Sequence, residues 1–141
     1  MQAQVPGEEF SDLHLKELVQ KLLEDHRNFS SETAEIAQSI DGVTAFAQIS
    51  EVFVPLREAL IGHMLVEESE IFPEISRLGL FTERTSEIMQ QHLDITAALE
   101  NMRFALHGKN LNALKSAFDK LSAVMKLHFP VEESEVFSLV S

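Results

Sequence analysis

Six residues of this chain have types and spacing that point to chemistry: His26, His63, Glu67, His92, His128 and Glu132. Two of the segments that carry them read almost alike, HMLVEESEIFP from His63 and HFPVEESEVFS from His128. In a helix, His-x3-Glu spacing puts both side chains on one face, about one turn apart. A carboxylate buried in an apolar core is costly unless it is paired or bound to a metal. Two such carboxylates side by side would also raise each other's pKa. A pair of divalent or trivalent cations removes both problems. Imidazole with carboxylate suits iron first, then zinc, manganese or another transition metal.

The elements that must position these residues are legible as helices. Apolar residues recur at alternating spacings of three and four, the buried stripe of a bundle helix. Residues 12–39 give Leu15, Val19, Leu22, His26, Phe29, Thr33 and Ile36. Residues 45–77 give Ile49, Phe53, Leu56, Leu60, His63, Glu67 and Glu70. Residues 83–107 give Ile88, His92, Ile95, Leu99, Met102 and Leu106. Residues 111–138 give Leu114, Phe118, Leu121, Met125, His128, Glu132 and Glu135. Every stripe contains a histidine, and no lysine or arginine lies on any of them.

The punctuation fits four antiparallel helices joined by short connections. Ser11 is a candidate N-cap for the first, and Asp41-Gly42 breaks the chain after it. Gly79 suits the C′ position of the second helix, and Thr82 can cap the third, with Glu83 in its first turn. Gly108 ends the third and Asn110 can cap the fourth. Pro55 and Pro130 fall inside helical patterns, where each should remove a backbone bond and kink the rod. Pro55 is alternatively the start of a shorter second helix after an irregular segment. Residues 1–10 show no pattern and are expected to form a flexible N-terminal arm, leaving 11–141 as the bundle.

At about 1.5 Å of rise per residue, His92 and His128 come to similar heights on their hairpin, as do Glu67 and His92 on theirs. The hairpin of His26 and His63 matches less well, and a break near Pro55 would absorb the slack. His26 and His63 are nearly as far apart in sequence as His92 and His128. The expected fold is therefore an all-α, up-down-up-down antiparallel four-helix bundle with an internal pseudo-twofold repeat. All six chemical residues would meet in one layer of its core.

Composition narrows the function classes. The 141 residues suit a single domain, and 45 % hydrophobic content suits a packed core. A formal net charge of −12 argues against nucleic acid and against an anionic membrane surface as partners. It suits cations. The absence of cysteine excludes disulfides, iron–sulfur ligation and thiolate metal sites. No signal peptide or long apolar run is legible, so a cytoplasmic location is expected.

The order His26, His63-x3-Glu67, His92, His128-x3-Glu132 resembles the hemerythrin-like, or HHE cation-binding, family across nearly the whole chain. The resemblance implies a bundle around a non-haem di-iron centre. It makes Glu67 and Glu132 bridging ligands and the four histidines terminal ligands, two per iron. It implies two iron ions (Fe2+/Fe3+) with an oxo or hydroxo bridge from solvent. Oxygen-carrying hemerythrins have five histidines, with a His-x3-His pair on the third helix and an aspartate in the last ligand segment. Here Thr96 and Ile88 flank His92 at that spacing, and Glu132 stands in place of the aspartate. The pattern is closer to the four-His, two-Glu di-iron proteins linked to iron–sulfur repair and to stress response. Those carry a Cys-bearing N-terminal domain that has no counterpart in this sequence.

The resemblance implies a protein that binds or reacts with O2, NO or peroxide, or donates iron, in oxidative or nitrosative stress. Alternatives are a reversible oxygen binder or sensor, and a metal-stabilised structural bundle. A small diatomic or peroxide ligand is the expected partner, and no protein partner is identifiable. The lack of Tyr and Trp leaves no tyrosine to hold a radical and disfavours a radical-generating oxygenase.

The remaining candidates read as follows. His14 lies off the stripe and His107 sits in a last helical turn, so both read as non-ligands. Glu68 and Glu133 read as solvent-facing. Glu70 and Glu135 are either outer groups behind the ligands or solvated helix ends. Met64, Met102, Met125, Phe72, Phe104 and Phe137 read as core, and Phe72 and Phe137, matched in the repeats, are expected to cover the site.

Overall fold

The computed structural model describes residues 6–41, 46–80 and 82–140, with residues 6–12 and 41 described by backbone alone. Helix α1 spans Pro6–Asp41 and α2 spans Phe46–Val66. A π-helical turn, Glu67–Ile71, carries the rod without a break into α3, Phe72–Arg77. Helix α4 spans Glu83–His107, α5 spans Leu111–Glu135, and a 3-10 turn, Phe137–Leu139, follows. With α2 and α3 as one rod, these make the four members of an all-helical bundle. Neighbours in sequence pack side by side, α1 on α2 and α4 on α5, and the ring closes through α2 on α4 and α1 on α5.

Apart from the partly exposed Thr33 and the exposed Glu70 and Glu135, the expected stripes are buried. They form two apolar clusters. The larger runs from Phe29 and Ile36 to Leu99, Leu121 and Phe129. The smaller holds Leu15, Val19, Leu22, Ile71, Ile75, Ile88 and Val136. The six chemical residues lie between them.

The helix ends are built largely as expected. Gly79, at φ +73°, closes α3 in a Schellman motif: Leu80 N–H donates to Ile75 C=O and Gly79 N–H to Ser76 C=O. Thr82 caps α4 in a reciprocal pair with Thr85, and the Asn110 side chain accepts from Ala113 N–H to cap α5. After α4 the same Schellman bonds form, but Lys109, not Gly108, takes the left-handed conformation at φ 52°.

Several expectations need correction. Helix α1 starts at Pro6, so Ser11 lies inside it; proline is favoured in a first turn, where its missing N–H would have had no partner. Residues 1–5 of the expected arm and Gly42 lie outside the described residues. Pro55 does not start α2, and both it and Pro130 lie inside continuous helices. With α1 reaching Asp41 and α2 starting at Phe46, the two runs of the first hairpin match without a break. Phe104 is exposed, 64 %, because it falls off the Leu99–Met102–Leu106 stripe, and the Arg103 guanidinium lies over its ring. Of the two readings of Glu70 and Glu135 the solvated one holds, and His14, as expected, lies on the surface, 3.9 Å from Glu70. His107 is exposed in the last turn of α4, as expected.

Candidate metal centre

Each bundle helix contributes one imidazole to a single layer: His26 from α1, His63 from α2, His92 from α4 and His128 from α5. Glu67 enters at the start of the π turn and Glu132 from α5. None of the six is more than 4 % exposed. The ligand atoms form two overlapping groups, His26–His63–Glu67–Glu132 and His92–His128–Glu67–Glu132, in each of which every atom lies within 4.8 Å of the others. Both glutamates belong to both groups.

All four Nε2 atoms face the carboxylates. Glu132 is surrounded, at 3.0 Å from His26, 3.1 Å from His128, 3.4 Å from His92 and 3.8 Å from His63. Glu67 lies 3.2 Å from His92 and 3.5 Å from His63. His26 Nε2 and His63 Nε2 are 3.2 Å apart.

The outer ring nitrogens are anchored just as completely. His26 Nδ1–H donates to Glu133 at 3.0 Å, His63 to Asp25 at 3.0 Å, His92 to Glu68 at 3.1 Å and His128 to the Gln91 side-chain oxygen at 2.8 Å. An ionised carboxylate can only accept, so it fixes the proton on Nδ1 and turns the Nε2 lone pair inward, the tautomer a metal ligand needs. This outer ring was not read from the sequence. Glu68 and Glu133 are partly exposed, as expected, yet each also touches an imidazole. The signal was present as adjacency: each outer acceptor precedes a ligand histidine or follows a ligand glutamate.

Aromatic rings close the layer. Phe137 stacks on His26 at 5.4 Å and Phe72 lies 5.7 Å from His92, so the matched phenylalanines do cover the site. Phe129 stacks on His26 at 4.0 Å, and Phe29 meets His63 edge-on.

The electrostatics show what the layer lacks. Burial, together with the charge of Glu132, pushes the Glu67 carboxyl upward. Burial would do the same to Glu132, but the surrounding imidazoles of His128, His26, His63 and His92 outweigh it and hold that carboxyl well below its ordinary value. Burial disfavours charge on His63 and His92, yet the carboxylates of Glu132 and Glu67 prevail and lift both imidazoles to about 10. In the protein alone, then, each half of the layer retains a proton on one histidine. Even so, both oxygens of Glu67 and the Nε2 of His128 are buried without a well-directed hydrogen bond. Two inward lone pairs 3.2 Å apart repel unless a proton or cation lies between them. Two imidazole nitrogens this close would suit one shared cation. The donor set therefore fits a buried metal cation site, a known content of bundle interiors.

The profile of the hemerythrin HHE cation-binding domain matches residues 14–140. The chain belongs to that family, and with this buried cluster it is a metal-binding protein. No curated protein and no solved structure matched it. Among the described residues, no helix is long and apolar enough to cross a membrane.

Proposed function

We propose that the chain is a non-haem di-iron protein that takes a small oxidant, O2, NO or peroxide, at its metal pair and serves in oxidative or nitrosative defence, as a reactive site or an iron donor. The observation that carries this reading is the sharing of Glu67 and Glu132 by two groups of ligand atoms. Two ions held by these groups would be able to act on one small molecule together.

His26 and His63 would hold one ion, His92 and His128 the other. When bound, the iron pair supplies two electrons to an oxidant. The protein's own part is positional. Asp25, Glu68, Gln91 and Glu133 keep the imidazoles aimed inward. Phe29, Phe72, Phe129 and Phe137 keep bulk water from the rings. Two histidines per ion and two shared carboxylates would leave coordination positions for a ligand. A mostly apolar groove of about 940 Å3 between α1 and α5 has His26 in its wall, with Leu23, Met125 and Phe129 beside it. It offers an uncharged small molecule a path to the layer.

The test is to load the chain with Fe2+ without oxygen and then add O2, NO or peroxide in turn. Rapid reaction with stoichiometric two-electron consumption supports the proposal. An oxygen complex that forms and dissociates repeatedly without oxidation would transfer the chain to the reversible carriers. Inertness toward all three would leave only a structural metal.

A further inference from the structure

The pseudo-twofold axis pairs His26 with His92, His63 with His128 and Glu67 with Glu132. It extends to the outer ring. Glu133 behind His26 corresponds to Glu68 behind His92, one carboxylate for another. Asp25 behind His63 corresponds to Gln91 behind His128, and here the symmetry fails. Both residues directly precede a ligand histidine on their helix, and both accept from an Nδ1–H at hydrogen-bond distance. Asp25 presents a carboxylate oxygen; Gln91 presents a neutral amide oxygen.

The shape of the two halves is thus nearly conserved while their charge is not. The His26–His63 half is backed by two carboxylates, the His92–His128 half by one. A charge-assisted bond to an imidazole N–H strengthens electron donation from its other nitrogen, and an amide does so less. The extra negative charge also lies close behind the ion it would favour.

We infer that Asp25 and Gln91 are positioning residues that make the two metal sites unequal: the His26–His63 half is the tighter and more electron-rich, filling first and holding the more highly charged ion, and the His92–His128 half is the weaker. The inference rests on the reading of the layer as a two-ion centre.

The test is Co2+ binding by calorimetry to the metal-free full chain and to variants that keep one half each. His128→Ala retains the His26–His63 half and His63→Ala the other. The first is expected to bind one ion roughly tenfold more tightly than the second, the scale of an outer-ring effect on affinity. Adding Asp25→Asn and Gln91→Glu together keeps every hydrogen bond but moves the charge, and should reverse the order. Equal affinities, or an order the exchange leaves unchanged, would overturn the inference. Mössbauer spectra of the 57Fe-loaded chain with all ligands intact give a second reading that survives poor folding of the histidine variants. Two doublets of equal area are expected, converging in Gln91→Glu; a single doublet in the parent chain would contradict the asymmetry. Failure of the parent chain to take up a second ion would instead refute the two-ion reading itself.

Discussion

The segments after His63 and His128 carry nearly the same residues, but the backbone treats them differently. After Glu67 the helix widens into a π turn, with Phe72 N–H donating to Glu67 C=O, five residues back. After Glu132 it stays α-helical to Glu135, with Val136 N–H donating to Glu132 C=O, four residues back. The residue that follows the matched phenylalanine differs as well. Pro73 has no N–H to give and its ring crowds the carbonyl of the preceding turn, a strain a wider turn relieves; Ser138 imposes neither constraint. Both solutions still bury a glutamate and lay a phenylalanine against the ring of a partner-repeat histidine. What is maintained is the placement of ligand and cover, not the path of the chain.

The largest break in this likeness should come at the glutamates. In the metal-free chain Glu132 is ionised and bonded to imidazoles, whereas Glu67 is pushed toward protonation and lacks directed bonds. Glu132→Gln should cost about 3–5 kcal/mol in urea unfolding, the scale of breaking a buried charge pair. Glu67→Gln should be close to neutral there. In the loaded protein the two should converge, each losing the ion pair.

Phe72→Ala and Phe137→Ala should each cost about 3–5 kcal/mol, as large cavities do, and should hasten metal loss to a chelator. Equal effects would confirm that two backbone paths provide one cover. A much smaller loss at Phe72 would mark the π turn as able to collapse onto the gap.

Acidity acts on both halves together. His63 and His92, one per half, have folded pKa values of about 10 against an ordinary 6.5. A pKa raised by folding stabilises the fold fully below the unfolded value and is lost as pH climbs through the folded one. Metal-free chain should therefore lose stability between pH 6.5 and about 10, by urea midpoint. Metal loading within that window should release protons, measurable in a weakly buffered titration.

The smallest effects lie at the distal turns. Lys109→Gly should stabilise by about 0.5–1 kcal/mol, since glycine takes a left-handed conformation without strain. Gly79→Ala should destabilise by about 1 kcal/mol for the same reason reversed. Thermal melts would resolve both.

The bundle and the six buried residues were legible because spacing carries them: a histidine on an apolar stripe reveals both its helix and its level. Phe104 shows the limit of type without phase, since only its angle from Leu99 and Met102 puts it outside. The π turn was hidden because Glu70 continues the three-four spacing as well as Ile71 does, and only Ile71 is buried. The outer ring was hidden for another reason. Glu68 and Glu133 occupy positions that helical phase assigns to solvent, and their carboxylates reach across to a neighbouring helix. Such contacts depend on helix separation and rotation, which periodicity does not encode.

The most direct measurement is metal content per chain, by elemental analysis of protein purified without chelator or affinity tag, beside a Glu67→Ala, Glu132→Ala double variant. Two irons per chain in the parent, one for each group of ligand atoms, and none in the variant is the result this account predicts. A parent chain that folds cooperatively and carries no transition metal would contradict it, leaving the layer as a polar network held by its own protons.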